Sequence, residues 1–254
     1  MSDQNANSHG DAVVQVVHPR GASGIVLVCE HASHVFPPEF DHLGLTADMQ
    51  RGHAAWDPGA VAVARGMSQQ LDAPLVAGAV SRLIYDCNRP PEAPSAMPDS
   101  SEGRDIPGNI GLSDDARAAR AAQYYVPFEA AVRQTMDAAD AQILVTMHSF
   151  TPVFKGQQRA VQIGILHDDD TRLADAMLAC TKRHTGLVTQ RNAPYAPQDG
   201  VTHTLKLHGL DRGIPNVMLE VRNDLIATPQ AQAGMAQMLS GWLCESIQIL
   251  EATL

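Results

Sequence analysis

The fold is decided by the stretch Gly24-Ile25-Val26-Leu27-Val28-Cys29-Glu30-His31-Ala32-Ser33. Its continuous run of Val, Ile and Leu predicts a strand buried on both faces, as in a parallel sheet covered by helices. Two further apolar runs end in polar residues: 142–147 precedes His148-Ser149, and 216–219 precedes Glu220-Val221-Arg222. Ligands of open α/β sheets bind beyond the carboxyl ends of the strands, so we expect the three endings to share one pocket.

Strand-length apolar runs alternate with helical patterns along the whole chain. We predict strands at 12–17, 24–30, 74–77, 142–147, 160–166, 187–190 and 216–221. We predict helices at 58–71, 113–139, 171–185 and 229–250, and a short helix that Thr46 caps. Pro127 is expected to kink or split the helix over 113–139. The alternation indicates βαβ units, hence an α/β fold with a mostly parallel sheet.

The chain has 254 residues, which is enough for one large domain with a sizeable core. No repeat or linker divides it, so we predict one domain over 12–254, preceded by a disordered polar tail over 1–11. The net charge is -10 and the sequence has no Lys/Arg-rich run. Nucleic acid and anionic membrane surfaces are therefore not expected partners.

The cysteines and the amino-terminal residues predict a cytoplasmic protein. Cys29, Cys87, Cys180 and Cys244 are scattered and form no C-x-x-C pair, so they indicate buried thiols rather than a zinc–thiolate site. The first ten residues have no apolar core typical of a signal peptide. No apolar run approaches the roughly 20 residues that span a bilayer.

Common catalytic motifs are absent from the sequence: it has no G-x-G-x-x-G, G-x-x-x-x-G-K-[ST], G-x-S-x-G or H-E-x-x-H. His31 and His148 are instead the best candidate metal ligands, because neutral imidazole suits zinc and catalytic zinc takes three protein ligands. The third ligand is open between Glu30, Asp57 and His34. Glu30 neighbours His31 and would point to the opposite face of a continuing strand. Asp57 has a structural alternative as the N-cap of the helix that Pro58 begins.

Glu220 and Arg222 are two residues apart and share one face of a continuing strand. Glu220 is a candidate general base for a water activated by the metal. Arg222 would then neutralise a substrate carboxylate or support Glu220. The structural alternative is a salt bridge between the two residues.

The segment Ser81-Arg82-Leu83-Ile84-Tyr85-Asp86-Cys87-Asn88-Arg89 concentrates polar and charged groups. A guanidinium binds a carboxylate through two parallel hydrogen bonds, so Arg82 and Arg89 are candidates to hold the carboxylate of an amino acid. The alternative is a pair of structural Arg–Asp contacts. Two loops are candidate pocket walls: the aperiodic stretch 90–111, which is long enough for a lid, and the stretch 192–204.

Six motifs in this order resemble the N-formylglutamate amidohydrolase family over about residues 23–250. They are Cys-Glu-His-Ala-Ser at 29–33, Trp-Asp-Pro-Gly at 56–59, Ser-Arg-Leu-Ile-Tyr-Asp-Cys-Asn-Arg at 81–89, Met-His-Ser-Phe at 147–150, Asn-Ala-Pro-Tyr at 192–195 and Leu-Glu-Val-Arg-Asn-Asp at 219–224. Members that act in histidine degradation read Pro-His-Ser-Gly at the first histidine. This chain reads Glu-His-Ala-Ser there, which is typical of a divergent branch.

The resemblance implies a three-layer α/β domain similar to zinc exopeptidases and a zinc-dependent hydrolysis of N-acyl amino acids. By position it implies His31, Asp57 and His148 as metal ligands and Glu220 as the catalytic glutamate. It also implies that Arg82, Asn88 and Arg89 hold the carboxylate of the substrate.

We therefore expect an amidohydrolase whose partner is a small anionic N-acyl amino acid. Two alternatives remain open: a carboxypeptidase-like peptidase or cell-wall amidase, and a binding protein that has lost turnover. The acyl group, the amino acid, the native metal and the oligomeric state are not determined by the sequence.

Overall fold

The computed structural model describes residues 13–252, so the tail predicted over 1–11 lies outside the described residues. Within them the chain forms the strands β1 (Val14–Val17), β2 (Ile25–Cys29), β3 (Leu75–Gly78), β4 (Ser100–Ser101), β5 (Arg104–Asp105), β6 (Ile143–Phe150), β7 (Val153–Phe154), β8 (Gln157–Gln158), β9 (Ile163–Leu166), β10 (Thr189–Arg191) and β11 (Asn216–Arg222). The α-helices are α1 (Ala47–Arg51), α2 (Ala60–Gln70), α3 (Asp114–Arg120), α4 (Val126–Ala138), α5 (Arg172–His184) and α6 (Pro229–Glu251).

Seven strands form one sheet in the spatial order β1-β3-β2-β6-β11-β9-β10. The four neighbouring strands β3, β2, β6 and β11 are parallel, β1 and β9 run antiparallel to their neighbours β3 and β11, and β10 is parallel to β9. The predicted α/β fold with a mixed, mostly parallel sheet is therefore confirmed. The carboxyl ends of β2, β6 and β11 meet at one edge, because these strands are adjacent and point the same way.

Helices cover both faces of the sheet and make three layers. On one face Leu27 packs in a core with Val63 of α2 and Trp242 of α6, all three of which are buried. On the other face Val26 packs in a second core with Phe128 of α4. Because β2 is buried along its whole length, alternate residues serve the two cores, and the continuous apolar run is explained.

The start of α2 differs from the prediction that Asp57 is its N-cap. The helix begins at Ala60 and its N-cap is Gly59, which has a φ of 84° and gives no side-chain cap. A Cβ at position 59 would lie 2.6 Å from the carbonyl oxygen of Ile226, so the turn requires glycine. The carboxylate of Asp57 is thereby free to point away from the helix.

Several other predicted elements change their extent, among them the strands predicted over 160–166 and 187–190, which span Ile163–Leu166 and Thr189–Arg191. The helix predicted over 113–139 starts at the N-cap Ser113 but divides into α3 and α4 at a wide π-helical turn over 121–125. The strand predicted over 142–147 continues to Phe150, so His148 lies inside β6 rather than after it. The aperiodic stretch 90–111 contains short 3-10 turns and the β4–β5 ladder.

None of the helices within residues 13–252 is long and apolar enough to cross a membrane.

Candidate functional site

Three elements bring His31, Asp57 and His148 together at the carboxyl edge of the sheet. His31 follows β2 by two residues, and His148 lies in the adjacent strand β6. The backbone N–H of Asp57 donates to the carbonyl of His31 at 3.0 Å, which fixes the turn before α2 against the end of β2. The three side chains are almost completely buried and form a group that is able to hold a metal ion.

The donor atoms of this group form a nearly equilateral triangle. His31 Nδ1 and His148 Nδ1 are 3.2 Å apart, and Asp57 Oδ2 lies 3.3 Å from the first and 3.0 Å from the second. A tetrahedral zinc ion with ligands at about 2.0–2.1 Å separates its donors by about 3.3 Å. The spacing of the three atoms therefore fits one zinc-sized ion.

The second nitrogen of each histidine faces a carboxylate. His31 Nε2 donates to Asp86 Oδ1 at 2.7 Å, and His148 Nε2 lies 3.1 Å from Glu30 Oε2. The hydrogen bond to Asp86 keeps the proton of a neutral His31 ring on Nε2 and leaves a lone pair on Nδ1. The carboxylate of Glu30 lies beside Nε2 of His148 without a hydrogen bond between the two atoms. The two Nδ1 atoms and a carboxylate oxygen converge, an arrangement that suits a cation between them.

The charges around the triangle also favour a cation at its centre. The carboxylates of Glu30, Asp57 and Asp86 are all buried, and Arg82 bridges only the last two, at 3.3 and 3.0 Å. Although burial favours the neutral ring, Glu30 and Asp57 raise the pKa of His148 well above its usual value. The site thus attracts a positive charge, which a proton or a divalent metal ion supplies.

Glu220 lies one strand away from the triangle. It pairs in register with His148 across β6 and β11, is 4% exposed, and its Oε2 has no hydrogen-bond partner among the described residues. Burial, reinforced by the negative charge of Asp57, raises the pKa of Glu220 to about 7. A carboxyl group in this state is able to accept and return a proton near neutral pH.

These residues open onto a cavity of about 760 Å³, within the usual range for small-molecule sites. The cavity is walled by both loops that the sequence predicted as pocket walls. Residues 90–111 contribute Ser95, Pro98, Ser100, Ser101 and Glu102, and residues 192–204 contribute Pro194, Tyr195, Asp199 and Val201.

The structure places the predicted substrate-binding residues in different surroundings. Arg82, Asn88 and Arg89 line the cavity. The side chain of Asn88 bonds to the backbone of residues 201 and 204, so it holds the loop wall. Arg222 is not among the cavity-lining residues of the described chain. It pairs with Asp224 at 2.8 Å instead of with Glu220.

The other candidate ligands also have defined positions. Glu30 contacts the far nitrogen of His148 and is separated from the triangle by that ring. His34 is exposed and packs against the ring of Trp56, 4.7 Å between centroids. Among the three alternatives for the third ligand, Asp57 alone shares the triangle.

Sequence reasoning missed two residues of the site. The sequence suggests Asp86 only as a partner of arginine, whereas in the structure its carboxylate accepts a hydrogen bond from His31. Arg159 lines the cavity, but it lies in a polar stretch of sequence that follows no apolar run. The only feature of the sequence that could have indicated its role is the pair of aromatic residues before it, Phe150 and Phe154.

The protein is thus an α/β protein with a mixed sheet. Buried histidines and carboxylates at the carboxyl edge of its parallel strands form a candidate metal centre, as in metal-dependent hydrolases. Residues 23–227 match the model of the N-formylglutamate amidohydrolase family, and the chain belongs to this family. The predicted resemblance is thereby confirmed.

Two of the crystal structures that are similar to the chain show how far the likeness extends. A gene product of Agrobacterium tumefaciens shares 51% identity with a TM-score of 0.91, over 94% of this chain and 96% of that one. An N-formylglutamate amidohydrolase from Ralstonia eutropha JMP134 shares 19% identity with a TM-score of 0.63, over 95% of this chain and 98% of that one, which supports the fold alone. Among curated proteins, none matches the chain significantly.

Proposed function

We propose that this chain is a zinc-dependent amidohydrolase that cleaves the amide bond of a small, anionic N-acyl amino acid similar to N-formylglutamate. The observation that carries the proposal is the triangle of His31, Asp57 and His148 beside the carboxyl group of Glu220, whose Oε2 has no hydrogen-bond partner among the described residues. Family membership supports the reaction class.

His31, Asp57 and His148 would hold the metal, as the spacing and charge of their donor atoms support. A zinc ion bound there supplies a Lewis acid that polarises a carbonyl oxygen and lowers the pKa of a water. Asp86 keeps the ring of His31 in the required tautomer and orientation through a hydrogen bond, and Glu30 places a carboxylate 3.1 Å from the far nitrogen of His148. Arg82 holds Asp57 and Asp86 in place through one guanidinium.

Glu220 would move the proton during hydrolysis. It accepts a proton from the water while the water oxygen bonds to the amide carbon. It then passes that proton to the amide nitrogen as the C–N bond breaks, which releases a carboxylic acid and the free amino acid. A pKa near 7 suits both transfers, because neither form of the carboxyl group is strongly favoured at neutral pH.

The size of the substrate is limited by the loop over 90–111. Five of its residues line the cavity, which supports a role of the loop in limiting the size of the substrate. A small N-acyl amino acid fits this arrangement better than a peptide or a cell-wall polymer. The roles of Arg82, Asn88, Arg89 and Arg222 in holding its carboxylate stay predictions.

The cytoplasmic location predicted from the sequence also stays a proposal. The four cysteines are free thiols, of which Cys244 alone is exposed, and this supports a reducing compartment.

The direct test is a hydrolysis screen with zinc-loaded protein over N-formyl, N-acetyl and N-succinyl derivatives of several amino acids. Release of the free amino acid is measured, and a chelator-treated sample serves as the control. We expect turnover of at least one anionic derivative that the chelator abolishes and added zinc restores. Absence of turnover with all derivatives would contradict the proposal.

Metal binding should also depend on Asp86, although it is not a proposed ligand. In Asp86→Asn the ring of His31 loses a carboxylate partner, and loss of such a partner typically lowers metal affinity by about 10–100-fold. We measure the zinc dissociation constant by competition with a chelating dye. Asp175→Asn is the matched control, because Asp175 is an exposed partner of Arg191 outside the cavity. Equal affinities in the two variants would exclude the supporting role of Asp86.

A further inference from the structure

We infer that Arg159 is the group that binds a carboxylate of the substrate, and that it sets the preference of the cavity for anionic amides. The inference rests on the proposed function and concerns the wall of the cavity. Arg159 lines the same cavity as His148 and Glu220.

Three aromatic rings hold the guanidinium of Arg159. Its central carbon lies 5.4 Å from the ring centroid of Phe150, 4.6 Å from that of Phe154 and 5.0 Å from that of Tyr195. Rings within about 6 Å attract a cation through their quadrupoles and restrict the plane of the guanidinium. An arginine fixed in this way loses little conformational entropy when it binds a ligand.

The charge of Arg159 is not neutralised by the protein. No carboxylate among residues 13–252 lies within ion-pair distance of it. Two of its five N–H groups donate to oxygen atoms of the protein, Nη1 to the carbonyl of Thr151 at 3.3 Å and Nη2 to the hydroxyl of Tyr195 at 3.2 Å. The remaining donors are available to an anion, and a planar carboxylate matches the fork of a guanidinium.

The other cavity arginines are more fully engaged. Arg82 forms ion pairs with Asp57 and Asp86, so its charge serves the metal group. Arg89 donates from Nη1 to the carbonyls of residues 88 and 200, at 2.9 and 2.7 Å, and so ties two loops together. Arg89 also has no ion-pair partner among residues 13–252, but its side chain makes three hydrogen bonds to carbonyls, the third from Nη2 to residue 199 at 3.5 Å. Arg159 makes only two and therefore keeps more free donors for an anion.

The backbone around Arg159 is also anchored. Its N–H donates to the carbonyl of Pro152 at 2.8 Å, which closes the hairpin of β7 and β8. Arg222 donates to the carbonyl of Arg159 at 3.0 Å. Arg222 thus contacts the backbone of Arg159 from outside the cavity.

The test compares three probes: N-formyl-L-glutamate, its α-carboxamide and its γ-carboxamide. Dissociation constants are measured by calorimetry with zinc-loaded protein carrying Glu220→Gln, which limits turnover, and KM is measured with the wild-type residue at 220. The variants are Arg159→Lys, Phe154→Leu and Arg89→Lys. Arg133→Lys is the matched control, since Arg133 pairs with Glu129 on the exposed side of α4.

We expect Arg159→Lys to weaken binding of N-formyl-L-glutamate by about 10-fold, because Lys keeps the charge but loses the fork geometry. The carboxamide that lacks the bound carboxylate should change less than about 2-fold. Phe154→Leu should shift binding in the same selective direction, by a smaller factor, because it removes one ring of the cage. Arg133→Lys should change nothing.

Equal losses for all three probes, or a selective loss only in Arg89→Lys, would overturn the assignment of Arg159. Failure of all probes to bind would overturn it as well. A different result would overturn the proposed function alone: no turnover in the hydrolysis screen, together with selective binding of the probes through Arg159.

Discussion

We expect the Glu220→Gln variant to fold, to keep its metal and to lose hydrolytic activity by a factor of about 10²–10⁴, which is the usual cost of removing a positioned general base. Glutamine keeps the size of the side chain but cannot accept and return a proton. The fold should survive, because Glu220 Oε2 has no hydrogen-bond partner within residues 13–252 and burial already disfavours the charged form of the group. Rates on the best substrate of the screen, zinc content and melting temperature are measured together.

The matched control for this variant is Glu129→Gln, at a residue on α4 that pairs with Arg133 away from the cavity. It should retain full activity. Loss of metal in Glu220→Gln would indicate that Glu220 is a metal ligand and that Asp57 is not the third ligand. Unfolding would make Glu220 a structural residue. Full activity in a folded, metal-loaded variant would refute the role of Glu220 as the general base and thus the proposed mechanism.

The second large effect is expected from His148→Ala, which should abolish the binding of one zinc ion per chain. The change removes one of three donors and should cost far more affinity than the about 10–100-fold expected for an outer partner such as Asp86. It also leaves Glu30 and Asp57 buried without the imidazole between them. Breaking a buried ion pair typically costs about 3–5 kcal/mol of unfolding free energy, so the melting temperature should also fall.

Zinc content is therefore measured on protein whose far-UV circular dichroism is native. His34→Ala is the control, because His34 is a histidine of the same region that is exposed and lies outside the triangle. It should bind zinc as the wild type does. Unchanged zinc stoichiometry in His148→Ala would exclude His148 as a ligand, and loss of zinc in His34→Ala would reopen the choice of the third ligand.

The sheet and its central edge were predictable because they depend on local apolar patterns. The runs that form β2, β6 and β11 have few polar interruptions, since both faces of these strands are buried. The caps of α1 and α3 were predictable for a similar reason, because Thr46 and Ser113 each accept a bond from an N–H three residues later. The order of motifs predicted the family directly.

The turn before α2 is a feature that local sequence patterns did not predict correctly. Asp-Pro is a typical start of a helix, yet Gly59 in a left-handed conformation delays the helix by two residues. A Cβ at position 59 would collide with the backbone of Ile226, a residue far along the chain, so tertiary packing requires glycine in this turn. The carboxylate of Asp57, which precedes the turn, lies in the triangle instead of capping the helix.

The sequence by itself determined the α/β fold, the family and the candidate side chains His31, His148 and Glu220, because buried strands that end in polar residues leave a local pattern. Tertiary structure alone decided which side chains meet. The hydrogen bond of Asp86 with His31 and the contact of Arg159 with Tyr195 join residues far apart in the chain, and local periodicity carries no information on contacts across such separations.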